Sequence, residues 1–317
     1  MSRGKRVATP LIQVQLLREG IPESVHQVTA TVSDVRGRNM LLAGEPDVTA
    51  FARSALKPFQ ALPMVAGGTL ERFELSDKDL AIACGSHLGT VEHARQVFSI
   101  LWRADIEPTA LQCPIPEGKH SALQYNCSGK HAAMLAMCQQ HHWPLNTYLR
   151  KSSQVQGTIL NRIAELLKLP GAELIAAKDD CGAPTYSMQL SQLAWLYAQL
   201  ASGENLELER IVRAMVHYPQ MVAGPGHFDT ELMLATEGAL VSKSGSEGIQ
   251  CVARVGYGLG LAIKVLDGAK RAKYATAIHL LRQMGWISPT VAETLGDRFL
   301  QLAPHRRLEV TGELAII

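Results

Sequence analysis

The sequence predicts an α+β protein: an antiparallel sheet built from N- and C-terminal strands, flanked by helices, with an inserted helical subdomain. Three observations carry this. Alternating apolar residues bounded by Gly-containing turns occupy the start of the chain, 3.6-residue spacing dominates from Ser54 onward, and strand patterns return from Ala239. Strands and helices thus come in blocks, which argues against a doubly wound parallel sheet. One domain is expected over 1–317, with a sheet part at 1–55 and 239–317 and a helical region at 56–238.

The elements follow in order. "IQVQLLREG", "SVHQVTATVSDV" and "RNMLLAG" read as an antiparallel meander. "SALKPFQALPMVAGG" reads as one helix opening at Ser54, with Pro58 in its first turn and Gly67-Gly68 at its end. Ser76-Asp77 caps "KDLAIAC", and Thr90 caps "VEHARQVFSILWRA". Helical spacing continues through "GKHAAMLAMCQQ", "QVQGTILNRIAELLKL", "MQLSQLAWLYAQLAS" and "ELERIVRAMVHY". "ALVSKSG", "IQCVARVG" and "GLAIKVLDG" are then strands. "KRAKYATAIHLLRQMG" and "TVAETLGDRFLQLA" are late helices, and "RRLEVTGELAI" closes as a strand.

Composition narrows the function classes. A formal charge of +2 gives no reason to invoke nucleic acid, and Arg3, Lys5 and Arg6 are too few for a basic arm. No apolar run approaches the ~18 residues a membrane span needs. The start of the chain carries no signal-peptide pattern, so a cytoplasmic protein is expected. The six cysteines are then expected to be reduced, with packing, metal binding or catalysis open to them.

Chemistry concentrates in two serine–lysine elements. Ser54-Ala-Leu-Lys57 places a hydroxyl and an amine one helical turn apart. A hydroxyl needs an adjacent base to attack, and a lysine of depressed pKa can be that base. Arg53, directly before the serine, is suited to a substrate carboxylate. The same Ser-x-x-Lys pattern at Ser2-Arg-Gly-Lys5 shows that the motif alone is weak. Lys243-Ser244-Gly245, at the end of a predicted strand, strengthens it. Serine β-lactamases and penicillin-binding proteins combine S-x-x-K at a helix start with a central serine and K-[ST]-G on a strand, in this order. Ser86 in "CGSHLGTVEH" and Ser128 in "NCSGKH" are both candidates for the central serine, and neither stands in a Ser-Asp-Asn.

Cys127 and Lys130 in "YNCSGKHAAMLA", with Asp179 and Cys181 in "KDDCGAP", leave two readings open: a zinc site or two buried thiols. Gly256-x-Gly258-x-Gly260 lies between two strands with no helix after it and is not a dinucleotide motif. His141-His142 and His217 have no paired spacing and read as surface or packing residues.

Together, "PESVHQVTATVSD", "FARSALKPFQALP", "ACGSHLGTVEH", "NCSGKHAAMLAMC", "DDCGAPTYSMQLSQLA", "MVAGPGHFDTELM" and "LVSKSGSEGIQCVA" resemble the rhizobial-type (class 3, asparaginase II family) L-asparaginases over nearly the whole chain. The resemblance implies a fold similar to serine β-lactamases and glutaminases, hydrolysis of L-asparagine to L-aspartate and ammonia, and a homodimer. It implies two Ser-Lys pairs, Ser54 with Lys57 and Ser86 with Lys243, and zinc on Cys127, Lys130 and Cys181. His131 and Asp179 are implied beside that metal; with Arg53 and Gly245 they are the candidate substrate-binding residues. Three positions depart from the family pattern: Thr90-Val91 for an acidic residue and proline, Tyr125 for an asparagine, and Asp180 for a glycine. A glutaminase or another serine acyl-transfer hydrolase, and a non-catalytic amino-acid-binding protein, are the alternatives; one methylene distinguishes glutamine from asparagine and is worth only ~1–3 kcal/mol in a pocket.

Overall fold

The computed structural model describes residues 9–317, so Ser2-Arg-Gly-Lys5 and the basic residues Arg3, Lys5 and Arg6 lie outside the described residues. The chain divides into two compact units. The first comprises residues up to Ala50, Met188–Ser202 and Ser244–Ile317; the second comprises Phe51–Ser187 and Gly203–Lys243. The sequence reading placed one helical region over 56–238. The segment Met188–Ser202 instead belongs with the sheet.

The first unit is built on the 14-residue strand Ile21–Asp34. Ile12–Arg18 pairs antiparallel on one side of it and Leu259–Val265 on the other. Arg306–Thr311 and Gln301–Ala303 extend the sheet beyond Ile12–Arg18, and Ile249–Arg254 extends it beyond Leu259–Val265. Asn39–Ala43 pairs with the end of the long strand and with Ala315–Ile316. This is the antiparallel sheet from both ends of the chain that the alternation predicts.

From Val28 to Asp34 the long strand is buried on both faces, so its alternate residues meet different layers. Ser33 lies opposite Gly260 in the ladder and shares its face. On that face Gly260 is pressed so close to the Leu190–Leu200 helix that a Cβ would stand 2.3 Å from Ala194 O and 2.4 Å from Ala198 N. The glycine run noted in the sequence therefore serves a turn and a helix–sheet contact. Thr29 and Ser33, buried on the strand, satisfy their hydroxyls on Ala43 O at 2.8 Å and Asn39 Oδ1 at 2.9 Å. The Lys270–Gln283 helix packs on the same sheet, against Leu259–Val265 and Arg306–Thr311, and carries Pro289–Phe299.

The second unit is largely helical. Ser76 closes a capping box with Asp79 at the start of Asp77–Ala83, and Thr90 caps Val91–Arg103 through His93. At the centre, every residue of the Ser128–Gln140 helix from Ser128 to Cys138 is buried, including Lys130 and His131. A Cβ on Gly129 would lie 2.2 Å from Ile82 O, which is how closely this helix approaches Asp77–Ala83.

Two local expectations change. The single helix read from Ser54 to Gly68 is three pieces: a 3₁₀ turn Arg53–Leu56, then Lys57–Gln60 and Leu62–Ala66. Pro63 lacks an N–H and its ring clashes with the carbonyl four residues back, so the helix stops at Gln60 and restarts with Pro63 in its first turn. The helical block also contains a hairpin, with Ile175–Lys178 paired antiparallel to Pro184–Ser187. Four residues reading Ile-Ala-Ala-Lys give no alternation to find.

Two stability measurements check this packing. Gly129→Ala and Gly260→Ala each force a methyl group into backbone, and each is expected to destabilise by about 1–3 kcal/mol or more in denaturant melts. The second concerns acid. Burial holds His131 and His87 well below the ordinary histidine pKa, with Lys130 and Lys57 adding to the effect at His131, and His93 and Lys57 at His87. Their stabilising contribution is complete above the unfolded pKa of ~6.5 and is lost as pH falls from there toward the depressed folded values. Stability is expected to decline below pH ~6.5 by up to about 1.4 kcal/mol per pH unit for each ring. A melting temperature flat from pH 7 to 5 would contradict it.

Candidate active site

The site assembles in the helical unit around Lys57, whose side chain is fully buried. It follows Ser54 by three residues: Ser54 lies in the 3₁₀ turn Arg53–Leu56, and Lys57 caps that turn and opens the next helix. Lys57 Nζ donates to Gly85 O, to Ser86 Oγ at 2.9 Å and to Asn126 O at 3.5 Å. The resemblance implied Ser86 beside Lys243; the direct contact here is from Lys57. Ser54 is partly exposed, and its hydroxyl makes no hydrogen bond among the described residues.

Ser86 is held by backbone on both sides. Its N–H donates to Val222 O at 2.6 Å, and the next N–H, of His87, donates to Asn126 O at 3.1 Å. Behind it, the His87 Nδ1 accepts from Gly89 N–H at 3.1 Å, which leaves the proton on Nε2 to donate to Ser128 Oγ at 3.0 Å. Ser128 passes its own proton to Leu123 O at 2.8 Å. Of the two candidate central serines, Ser86 therefore touches the lysine, and Ser128 supports the loop.

Lys243 is also fully buried, with its Nζ 3.9 Å from Asp229 Oδ2. Asp229 in turn accepts from Ser242 Oγ at 2.7 Å. Sequence reasoning gave Asp229 no role, although it stands in the quoted "GHFDTELM"; a carboxylate so deeply buried is the signal that structure adds. Gly245 lies in the sheet unit, where its N–H meets Ile249 O at 2.9 Å and its carbonyl accepts from Lys273 Nζ at 2.6 Å.

Arg53 occupies the left-handed region at φ 51°, a strained backbone for an arginine, fixed by its N–H to Thr185 Oγ1 at 3.1 Å. Its guanidinium Nε is 2.8 Å from Asp179 Oδ1, and its Nη2 bonds Asp180 Oδ2.

Cys127 and Cys181 meet in a buried cluster with Ala183, against Tyr125 and Leu149. The hydrogen bond from Cys181 holds the Cys127 thiol well below its usual pKa against the effect of burial, and Lys57 and Lys130 lower it further. The same bond and burial push Cys181 up. Burial favours neutral Lys130, but Cys181, Cys127 and Asp179 outweigh it and raise its pKa; its Nζ is 3.2 Å from Cys181 Sγ. Tyr148 Oη accepts from Gln112 N–H at 3.0 Å and is hydrogen-bonded to His131 Nδ1 at 2.6 Å, while His131 Nε2 is buried with no hydrogen-bond partner among the described residues.

Among the described residues no three His, Cys, Asp or Glu side chains gather as a metal cluster. Counting lysine, two sulfurs and one nitrogen do converge, a donor set that suits zinc.

No helix among the described residues is long and apolar enough to cross a membrane. No curated protein matches the chain. Among solved structures it is similar to Mglu in its tris and glutamate form, at 14% identity over 81% of this chain with a TM-score of 0.48. It is also similar to Mglu in its native form, at 13% identity over 82% of this chain with a TM-score of 0.47. The matches cover 59% and 65% of those chains, so this chain accounts for about three fifths of their length. The sequence profile of L-asparaginase II matches residues 14–316, and the chain belongs to that family.

Proposed function

We propose that this protein is an amidohydrolase that converts L-asparagine to L-aspartate and ammonia through a Ser54 acyl-enzyme. Family membership supports an amidohydrolase. The observation that carries the mechanism is the buried Lys57 amine, 2.9 Å from the Ser86 hydroxyl and one 3₁₀ turn after Ser54.

Lys57 acts as the base that takes the Ser54 proton as the oxygen attacks the side-chain amide carbon. The proton then passes through Ser86 to the amide nitrogen, the C–N bond breaks, and ammonia leaves. Water attacks the β-aspartyl ester, returns a proton along the same path, and frees Ser54 and the new carboxylate. Lys243, kept in place by Asp229, supplies positive charge for the developing oxyanion. Arg53 and Asp179 offer opposite charges to the α-carboxylate and α-ammonium of the substrate. Cys127, Lys130 and Cys181 would hold a zinc ion, which supplies Lewis-acid polarisation and orientation when bound, with His131 Nε2 as a further polar group beside it.

The direct Lys57–Ser86 contact favours one second reading, in which Ser86 is the nucleophile. Trapping the acyl-enzyme and mapping the modified peptide distinguishes the two: the β-aspartyl mass is expected on Ser54, and its appearance on Ser86 exchanges the serines' roles. Ammonia release with L-asparagine and L-glutamine in parallel tests the reaction. Ser54→Ala and Lys57→Met are expected to lower kcat by at least about 10³-fold. Preference for glutamine renames the enzyme and keeps the chemistry; tight binding without turnover makes it an amino-acid-binding protein.

Metal binding has its own readout. Equilibrium dialysis against zinc is expected to give one tightly held ion per chain, lost in Cys181→Ser. Equal zinc retention by that variant would remove the thiol pair from the metal site.

A further inference from the structure

Arg53, read above as the group for the substrate carboxylate, already faces two carboxylates of its own chain. Asp179, with its side chain 8% exposed, takes Nε, and Asp180, 80% exposed, takes Nη2. The two acids differ in more than exposure. Asp179 is fixed by its own backbone: its N–H donates to Ala183 O at 2.8 Å, its carbonyl accepts from Gly182 N–H at 2.8 Å, and its Oδ1 also accepts the Asp180 N–H at 2.8 Å. Apart from that N–H, the only bond described for Asp180 is its side chain's ion pair with Arg53. It is the outer, solvent-facing partner.

We propose that Asp180 is a specificity-determining residue: its carboxylate occupies the outer edge of the Arg53 guanidinium, and an incoming α-carboxylate must displace it. With Asp180 present, one guanidinium faces two carboxylates and the group carries one net negative charge. An amino-acid amide, with one carboxylate and one ammonium, meets that charge as a neutral molecule. The dicarboxylate product carries an extra negative charge and meets repulsion. Asp180 therefore weakens retention of the dicarboxylic amino acid more than binding of its amide, and it promotes product release. This inference rests on the reading of Arg53 as the carboxylate-binding group of an amide-hydrolysing site.

Calorimetric titration of L-aspartate into wild type, Asp180→Asn and Asp180→Gly tests it without requiring turnover. Both substitutions free Nη2 and remove the net charge, and each is expected to tighten L-aspartate binding by about 10-fold, a gain that shrinks in high salt. In steady state the effect is expected in KM and in product inhibition, with inhibition by L-aspartate increasing more than KM for the amide decreases. Unchanged or weaker L-aspartate binding in both variants, with wild-type melting temperatures, overturns the proposal, as does absence of L-aspartate binding in all three proteins. Tighter L-aspartate binding in a protein that releases no ammonia leaves Asp180 in its role and removes the amidohydrolase reading. Confirmed ammonia release with unchanged affinities removes the role of Asp180 alone.

Discussion

A lysine taken out of water keeps its long side chain only where something else receives its N–H groups, and the helical unit buries three. Lys57 and Lys243 are fully buried and Lys130 nearly so. Each unpartnered ammonium would cost several kcal/mol. The surrounding chain is arranged to meet that demand. Lys57 takes the carbonyls of Gly85 and Asn126 and the hydroxyl of Ser86, Lys130 takes the Cys127–Cys181 pair, and Lys243 lies by Asp229. Apolar residues of similar volume would fill these places at less cost. Three buried amines within one unit are therefore a functional feature, and the local backbone serves them.

That demand explains why the Ser54 segment is broken into short helices. A continuous α-helix would place Ser54 and Lys57 100° per residue apart along its surface. Here Ser54 lies in the 3₁₀ turn and Lys57 opens the following helix, and Pro58 and Pro63 set where each piece begins. Arg53 enters the same turn from a left-handed conformation that its Thr185 hydrogen bond holds. The strain and the short helices concentrate at one point of the chain, where the hydroxyl, the amine and the guanidinium must all project together.

Much of the fold was legible because its signals are local. Alternation found the strands of the sheet, and Ser76 and Thr90 marked two helix starts through capping chemistry that depends on residues within four positions. What escaped the reading depends on distant partners. The hairpin at Ile175–Lys178 has no pattern of its own. The Leu190–Leu200 helix joins the sheet because Gly260, some sixty residues later, leaves room for it. At the site, the sequence supplied Ser54, Lys57, Ser86, Cys127, Lys130 and Cys181 as candidates. It could not show that Lys57 reaches across 29 positions to Ser86, or that Asp229 stands by Lys243. Residue type can be read from one position, but the end point of a lysine side chain is set by packing.

Asp179 links the two halves of this chemistry. On one side its carboxylate lies against the Arg53 Nε; on the other its charge helps keep Lys130 protonated beside the thiols. A buried carboxylate between two cationic partners acts on both through low dielectric. Asp180, exposed, meets the same guanidinium from the outside through Nη2. The inner acid thus belongs to a buried charge network with Arg53 and Lys130, and the outer acid shares only Arg53 with it.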